Sequence, residues 1–410
     1  MKIIKKQYII CLAIITVYTG SCVEPFEIET MTFEDALVIE ATITNELKYQ
    51  NINLTRTFEF EEDGPSAETN ATVKIVDDVQ NIYNFEETTP GKYISTSVFS
   101  AVSNRTYQLT INTSNGRVYT SQPIQLTQIT QISDIVALRN TDDIDRVSIY
   151  VNSFDPSGNS RYYRYEYEET YIIVPPFFSP LDVIILSDVP PFTVNTSVTT
   201  APRAQEERFC FNTLFNNNII QTQTTSLFED RVSQFPIHSI SRNNPILRDR
   251  YSILVKQYVQ SLEAFTYYKV LNELSGSESI LSQNQPGFIN GNLTSIDNPD
   301  EKVLGFFEIA SVSSKRLFFN YRDIFPDGNR PFYFAKCGTE DLESPLLVDE
   351  NDPNISPLIN KIISDTIKHF ETNFDFFGEI DEKQPYRMTN RACGDCTVFG
   401  TNIKPDFWVD

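Results

Sequence analysis

Apolar and polar side chains alternate in short runs through the first part of the chain. At residues 37–43, 52–57, 72–77, 93–95, 106–111 and 117–121, β-branched and aromatic side chains mix with polar ones, one run every 10 to 15 residues or so. Turn signals lie between them: Asp63-Gly64-Pro65, Pro90-Gly91, Ser103-Asn104 and Asn115-Gly116. The last predicts a hairpin joining 107–111 to 118–120, because Asn-Gly supplies the positive φ angles of a tight turn. Strands with one apolar and one polar face bury the first against a second sheet, so six or seven of them predict an antiparallel sandwich over 22–126. Residues 125–133 read as a polar connector.

From 127 to 410 the pattern is again strand-rich, now with two helical insertions. Residues 145–154 and 161–174 read as strands of one hairpin around Asp155-Pro156-Ser157-Gly158-Asn159, and 251–258 as a further strand. Ser261 can cap a helix in which Leu262, Phe265, Tyr268, Leu271 and Leu274 recur at a three-residue step, with Gly276 as a stop. Ser356-Pro357 opens a second helix, whose stripe is Leu358, Ile362, Ile363, Ile367 and Phe370. Both stripes are expected to pack on a sheet. The fold class is therefore mainly β, a sandwich followed by a larger β-rich domain.

The first 21 residues have a different design. Three lysines within the first six residues precede the uncharged stretch 8–18. Eleven residues are too few for a membrane-spanning helix, which needs roughly 20. A charged start followed by a short apolar run reads as a cleaved leader. Thr19-Gly20-Ser21-Cys22 then resembles a lipobox, which makes Cys22 the first mature residue and the site of acylation. Several acyl chains anchor where a single chain is marginal. The expected location is the outer membrane, lipid-anchored on the cell-surface or periplasmic face.

Composition narrows the function. The chain has 33 basic and 55 acidic side chains, and loss of the three leader lysines takes its net charge from −22 to −25. Such a surface repels polyanions, and no basic stripe offers a nucleic acid a footing. With 30 Phe and 20 Tyr there is ample material for a core, so the acidity does not signal disorder.

Catalytic chemistry leaves little trace. The two histidines, His238 and His369, lie outside any H-E-x-x-H pattern, and G-x-S-x-G, Walker and G-x-G-x-x-G motifs do not occur. His238 after Pro236 is expected in a solvated loop, and His369 on the polar face of the second helix. Asp349-Glu350-Asn351-Asp352-Pro353-Asn354 has closely spaced oxygen ligands but not the glycine and glutamate of an EF-hand, so a solvated acidic loop is expected. Asp142-Asp143-Ile144-Asp145 fails on the same grounds and reads as a hairpin entry. Tyr162, Tyr163, Tyr165 and Tyr167 could stack on sugars, though alternate tyrosines in a strand more often pack one face and pair across the other. No metal or cofactor is expected.

Four cysteines remain after the leader and Cys22: Cys210, Cys337, Cys393 and Cys396. A four-cysteine zinc site would want two C-x2-C knuckles, and only one is present. A thioredoxin-like pair would want a helix after its C-x-x-C, whereas 397–400 reads as extended chain. Structural disulfides in an oxidising compartment fit best, Cys393 and Cys396 each joining one of Cys210 and Cys337.

Several longer stretches resemble one family. They are Arg250-Tyr251-Ser252-Ile253-Leu254-Val255-Lys256-Gln257-Tyr258 with Ser261-Leu262-Glu263-Ala264-Phe265, then Gln285-Pro286-Gly287-Phe288-Ile289-Asn290-Gly291-Asn292-Leu293 with Val303-Leu304-Gly305-Phe306-Phe307, and finally 393–408. Their order and spacing are similar to domain-of-unknown-function family 4249 (DUF4249), outer-membrane lipoproteins of Bacteroidota. The resemblance implies an immunoglobulin-like or transthyretin-like amino-terminal sandwich, a larger β-rich domain and association with TonB-dependent receptors. It implies no ligand. Two functions follow as expectations. One is a non-catalytic envelope lipoprotein that binds a ligand or serves a TonB-dependent transporter; the alternative is a surface hydrolase acting on glycans or peptides.

Overall fold

The computed structural model describes residues 35–58, 64–194, 196–275, 289, 291–343, 354, 356–381 and 385–409. The leader, Cys22 and the acidic loop up to residue 353 lie outside the described residues.

The amino-terminal strands are β1 (Leu37–Thr44), β2 (Asn51–Arg56), β3 (Thr72–Asp77), β4 (Ile82–Thr89), β5 (Lys92–Ser95), β6 (Thr106–Asn112), β7 (Val118–Ser121) and β8 (Ile124–Gln125). Burial alternates along them as the sequence pattern does, and Ile39, Leu54, Ile75, Tyr93, Leu109, Ile111 and Tyr119 are fully enclosed. Each such side chain stabilises the fold by roughly 1.5–3 kcal/mol relative to exposure. Strand β4 was not expected from the pattern. Of its residues only Phe85 is buried, and Glu86 and Glu87 sit where an alternating strand would repeat its apolar signal. The hairpin at Asn115-Gly116 is present, with Ile111 opposite Tyr119.

Next come β9 (Ile132–Asn140), β10 (Arg146–Asp155), β11 (Tyr162–Ile173), β12 (Leu181–Ile185), β13 (Val198–Pro202), β14 (Cys210–Phe215), β15 (Ile220–Gln223), β16 (Asp230–Ser241), β17 (Arg250–Val259), helix α1 (Leu262–Ser275), β18 (Leu293–Ser295) and β19 (Val303–Asn320). One sheet of 14 strands runs β14-β11-β17-β19-β1-β2-β5-β4-β3-β6-β7-β18, with β15 also on β11 and β8 on β6. It therefore continues across residue 126. Its middle is the parallel pair β1–β19, with Leu37 opposite Val303 and Ile43 opposite Ile309. Residues beyond 126 complete the amino-terminal core, since Leu293, Val303, Phe307 and Ile309 pack with Ile39 and Tyr119.

A smaller sheet, β16-β10-β9, lies over the other half. Val147, Ile149 and Val151 from β10 share a core with Tyr163, Tyr165 and Tyr171 from β11 and with Ile253 and Val255 from β17. One expectation changes here. The segments around Asp155–Asn159 are not one hairpin: β10 pairs with β9 and β16, while β11 pairs with β14, β15 and β17. The turn carries the chain from one sheet to the other, held by Asp155, which accepts from the backbone of Ser157, Asn159 and Ser160. In the tyrosine run Tyr163 and Tyr165 are fully buried while Tyr162 and Tyr167 are half-buried, the one-face packing read from the alternation.

The carboxy-terminal part adds α2 (Tyr321–Ile324), β20 (Thr339–Glu343), α3 (Pro357–Ile363), β21 (Ile367–Thr372), β22 (Tyr386–Asn390) and α4 (Arg391–Gly394). Ser356 caps α3 and Pro357 starts it, as read from the sequence. The helix stops after seven residues, however, and Ile367 and Phe370 belong to strand β21. A helical step and a strand step both place Leu358, Ile359, Ile367 and Met388 in one small core with Val183 and Val198, so periodicity alone did not separate them.

Candidate ligand-binding cleft

Where the parallel strands β1 and β19 meet, the outer face of the sheet is left open on one side of helix α1. Val38, Glu40, Thr42 and Thr44 from β1 lie beside Leu304, Gly305 and Phe306 from β19, and Arg164, Glu166 and Tyr258 extend the floor across β11 and β17. Asn51 and Asn53 of β2, Lys48 and the helix residues Tyr267, Tyr268 and Leu271 complete a cleft of about 540 Å3. Seams between packed units are a common location for ligand sites, and this volume lies within their usual range of roughly 300–1,000 Å3.

Backbone packing makes this seam tight. Gly305 has φ +118°, and a Cβ there would sit 2.0 Å from the carbonyl oxygen of Ile39. A Cβ on Gly291 would lie 1.7 Å from the Gly305 oxygen. Next to Gly291, the buried Asn292 accepts from the Phe307 N–H and donates to the Phe307 carbonyl, both at 2.8 Å, as an additional rung of the sheet would. Because β18 ends the 14-stranded sheet and Phe307 lies in β19, this amide closes the amino-terminal roll. Leu304, Gly305 and Phe306 thus form part of the cleft wall, and Gly291 and Asn292 hold it from behind.

Arg164 organises the cleft floor. Its Nη1 binds Glu166 and its Nη2 lies 3.2 Å from Glu308, while Tyr258 and Tyr268 cover the guanidinium at 4.4 and 4.9 Å. Glu308 also accepts from Gln260 at 3.0 Å and from Thr42 at 3.4 Å, and Glu166 from Tyr258 at 2.9 Å. Burial acts to discharge Arg164, yet the charges of Glu308, Tyr268 and Glu166 more than offset it and hold the group fully cationic. Burial likewise acts to raise the pKa of Glu166, but Arg164 outweighs it and leaves the carboxyl below its usual range. The Tyr258 and Tyr268 hydroxyls are pushed well up, chiefly by burial and then by Glu166 and Glu308 respectively. Arg164 Nε is buried without a hydrogen-bond partner. The floor thus holds ionised groups fixed by each other, with one donor left over.

Two other places invite comparison. A hollow of about 610 Å3 lies by Asp145, Arg242 and Arg330. Its main carboxylate, Asp145, is brought down to about 2 by hydrogen bonds from Arg139 and Arg242, so the charges there are already paired. His238, expected in a loop, sits instead on β16, with Nδ1 2.8 Å from the Tyr167 hydroxyl and Nε2 3.3 Å from Glu169. Tyr251 also donates to Glu169, at 2.7 Å. Burial and then the Glu169 charge raise the Tyr167 hydroxyl to about 12, so it is a poor nucleophile at neutral pH. The trio lies between the two sheets of the larger sandwich and braces them.

His369 is likewise not solvated. It is buried on β21, with Nδ1 near Ser179 Oγ at 3.1 Å and the Leu181 carbonyl at 3.2 Å, and Nε2 2.9 Å from Thr372. Asp142 to Asp145 form the loop between β9 and β10. Cys210 is bonded to Cys396 and Cys337 to Cys393. The segment expected to be extended after the C-x-x-C is wound: α4 holds Cys393, and Cys396–Val398 is a 3-10 turn capped by Asp395, which accepts from the Thr397 N–H. Among the described residues no group of three or more His, Cys, Asp and Glu could hold a metal ion. No described helix is long and apolar enough to cross a membrane.

Comparison with known sequences bears on these parts directly. Residues 23–316 match the family described as Domain of unknown function (DUF4249). The chain belongs to that family. The matched span contains the whole cleft and ends inside β19, so three of the four disulfide cysteines lie beyond it. No curated protein matches the chain. Among solved structures, a DUF4785 family protein of Legionella pneumophila aligns at 6% identity over 54% of this chain and 51% of its own, with a TM-score of 0.17. The chain thus spans about half the length of that protein. A biofilm associated protein B domain aligns at 8% identity over 69% of this chain and 86% of its own, with a TM-score of 0.13.

Proposed function

We propose that this DUF4249 member is a non-catalytic lipoprotein, anchored through lipid on Cys22 to the outer membrane, which binds a ligand in the seam cleft and serves a TonB-dependent transporter. One observation carries the binding reading: Arg164, anchored on the buried Glu308, fixes Glu166 at the floor of an open cleft. Hydrolysis by a carboxylate pair needs one member protonated at working pH. Glu166 is held below its ordinary range and so carries no proton to donate at neutral pH, and the oxygens of Glu308 are occupied by Arg164, Gln260 and Thr42. A preorganised, charge-balanced floor suits recognition.

The lipid reading rests on Thr19-Gly20-Ser21-Cys22 behind its short apolar run. The transporter reading rests on family resemblance, and Val23-Glu24-Pro25-Phe26-Glu27 adds acidic residues after the acylated position. A tether raises the effective concentration of a protein beside its receptor, so a modest interface suffices. Replacing Cys22 by Ser and fractionating the cells tests the anchor. The variant should appear in the soluble fraction without the mass of acyl groups; retention in membranes through detergent-sensitive lipid would contradict it. Polymer hydrolysis by the purified chain would favour the surface hydrolase instead.

A further inference from the structure

We infer that the ligand of the seam cleft is neutral and rich in hydroxyl groups, an oligosaccharide in chemical class; this rests on the reading of the cleft as a binding site. Charge is the first argument. Glu40 and Glu166 balance Arg164 and Lys48 around the cleft, and both cations are committed, Arg164 through its terminal nitrogens to Glu166 and Glu308 and Lys48 to Glu46. An anion would find no unpaired cation to bind.

A cationic ligand is disfavoured for the complementary reason. Aromatic rings with carboxylates around them make a cage for an ammonium or guanidinium group. Here the cage of Tyr258, Tyr268, Glu166 and Glu308 is already filled by Arg164 from the chain itself. What remains for a ligand is uncharged apart from Glu40, whose carboxylate accepts from Asn53.

Those remaining groups match a polyol. Asn51 and the side-chain oxygen of Asn53 offer amide partners, Thr42 Oγ1 can accept while it donates to Glu308, and Glu40 offers acceptor oxygen beside the bond it takes from Asn53. The half-exposed Tyr267 ring, backed by the buried Phe306 with ring centres 5.4 Å apart and planes tilted by 36°, supplies an apolar surface for the C–H face of a sugar ring. Tyr267 packs against both Tyr268 and Phe306, ring centres 5.5 and 5.4 Å away, so that ring is preorganised. A second hollow of about 900 Å3 lies on the other side of α1 and shares Tyr267, Ile289 and Phe306 with the first. Two hollows meeting at one aromatic pair suit a linear oligomer better than a compact solute.

Saturation-transfer NMR on the intact mature chain tests this, with neutral gluco-, galacto- and manno-trisaccharides, tetramethylammonium and sulfate with its methyl ester as probes. At least one trisaccharide should receive saturation, with affinity falling tenfold or more in Tyr267→Ala and kept in Tyr267→Phe, which retains the ring. Thermal melts of both variants establish that the fold persists. If a charged probe binds in a Tyr267-dependent way and no trisaccharide does, the ligand class is wrong while the binding reading stands. If no probe binds, both are overturned.

Discussion

Arg164 on β11 and Glu308 on β19 meet across the intervening strand β17, Nη2 to Oε2 at 3.2 Å, with side chains 9% and 3% exposed. Each half of the pair belongs to a different core: β11 packs with the larger sandwich, and β19 at this point closes the amino-terminal roll. The pair is therefore both the floor of the cleft and a tie across the seam. Removing one partner from a buried pair leaves an uncompensated charge, typically at a cost of ~3–5 kcal/mol. Arg164→Met should destabilise the chain by about that amount, and Arg164→Met with Glu308→Gln by clearly less than the sum of the single changes. Urea unfolding of the four proteins checks it; full additivity would mean that the groups do not interact.

Asn292 is predicted to matter through its amide, not its volume. Asn292→Asp keeps the shape but replaces the donor to the Phe307 carbonyl by a buried carboxylate oxygen. An unpaired buried polar group costs about 1–3 kcal/mol, more when charged. Hydrogen exchange should show the Phe307 amide and its β19 neighbours opening sooner while β10 and β16 keep their protection. A uniform change across both halves would argue against a latch at this point.

The tail beyond β22 is held by two long-range disulfides, Cys210–Cys396 closing a separation of 186 residues and Cys337–Cys393 one of 56. Loss of a native disulfide commonly costs 2–5 kcal/mol, more for longer loops in the chain-entropy picture. Cys210→Ala with Cys396→Ala should lower the melting temperature at least as much as the Cys337/Cys393 pair of changes. The comparison needs only calorimetry of the two double variants, and the opposite order would mean that local strain or packing outweighs loop length.

His369 makes stability depend on pH. Burial, first among its influences, leaves its pKa below the ordinary value of 6.5, even though the Leu181 carbonyl and Asp182 favour the charged form. The unfolded chain therefore binds a proton that the folded chain resists. The neutral-histidine contribution is complete above about pH 6.5 and is lost as pH falls from there through the folded pKa. Replacing His369 by Gln should flatten the fall in stability between about pH 6.5 and 5, as followed by denaturant midpoints at each pH. An unchanged slope would assign the acid sensitivity to other groups.

Much of this architecture is legible in the sequence, and the losses have physical causes. Strands with alternating burial, such as β3 and β6, stand out because one face is core and the other solvent. Strand β4 hides because a single phenylalanine carries its buried face. The seven-residue α3 and strand β21 merge into one apparent stripe because Ile367 lies four positions after Ile363, a step that a helix also uses. Hairpins within the first sheet follow from their turns, whereas the turn at Asp155 joins two layers, a choice made by tertiary packing. The cleft was not legible at all. Arg164 reads as one residue of a tyrosine-rich strand, and only the pairing of β11 and β19 on either side of β17 brings Glu308, more than a hundred residues away, beside it. Leu304-Gly305-Phe306-Phe307 was noticed as a pattern, but nothing in it disclosed that Gly305 must approach Ile39 so closely.

The central claim, a lipid-tethered binding protein working beside a transporter, is met most directly by affinity purification from cross-linked outer membranes of the native strain. The account predicts that a large β-barrel receptor is recovered with the wild-type chain and is depleted when Cys22 is replaced by Ser, because the tether is lost. Repeated purifications that return no barrel, together with hydrolysis of a polymer by the purified chain, would contradict the account and put the hydrolase in its place.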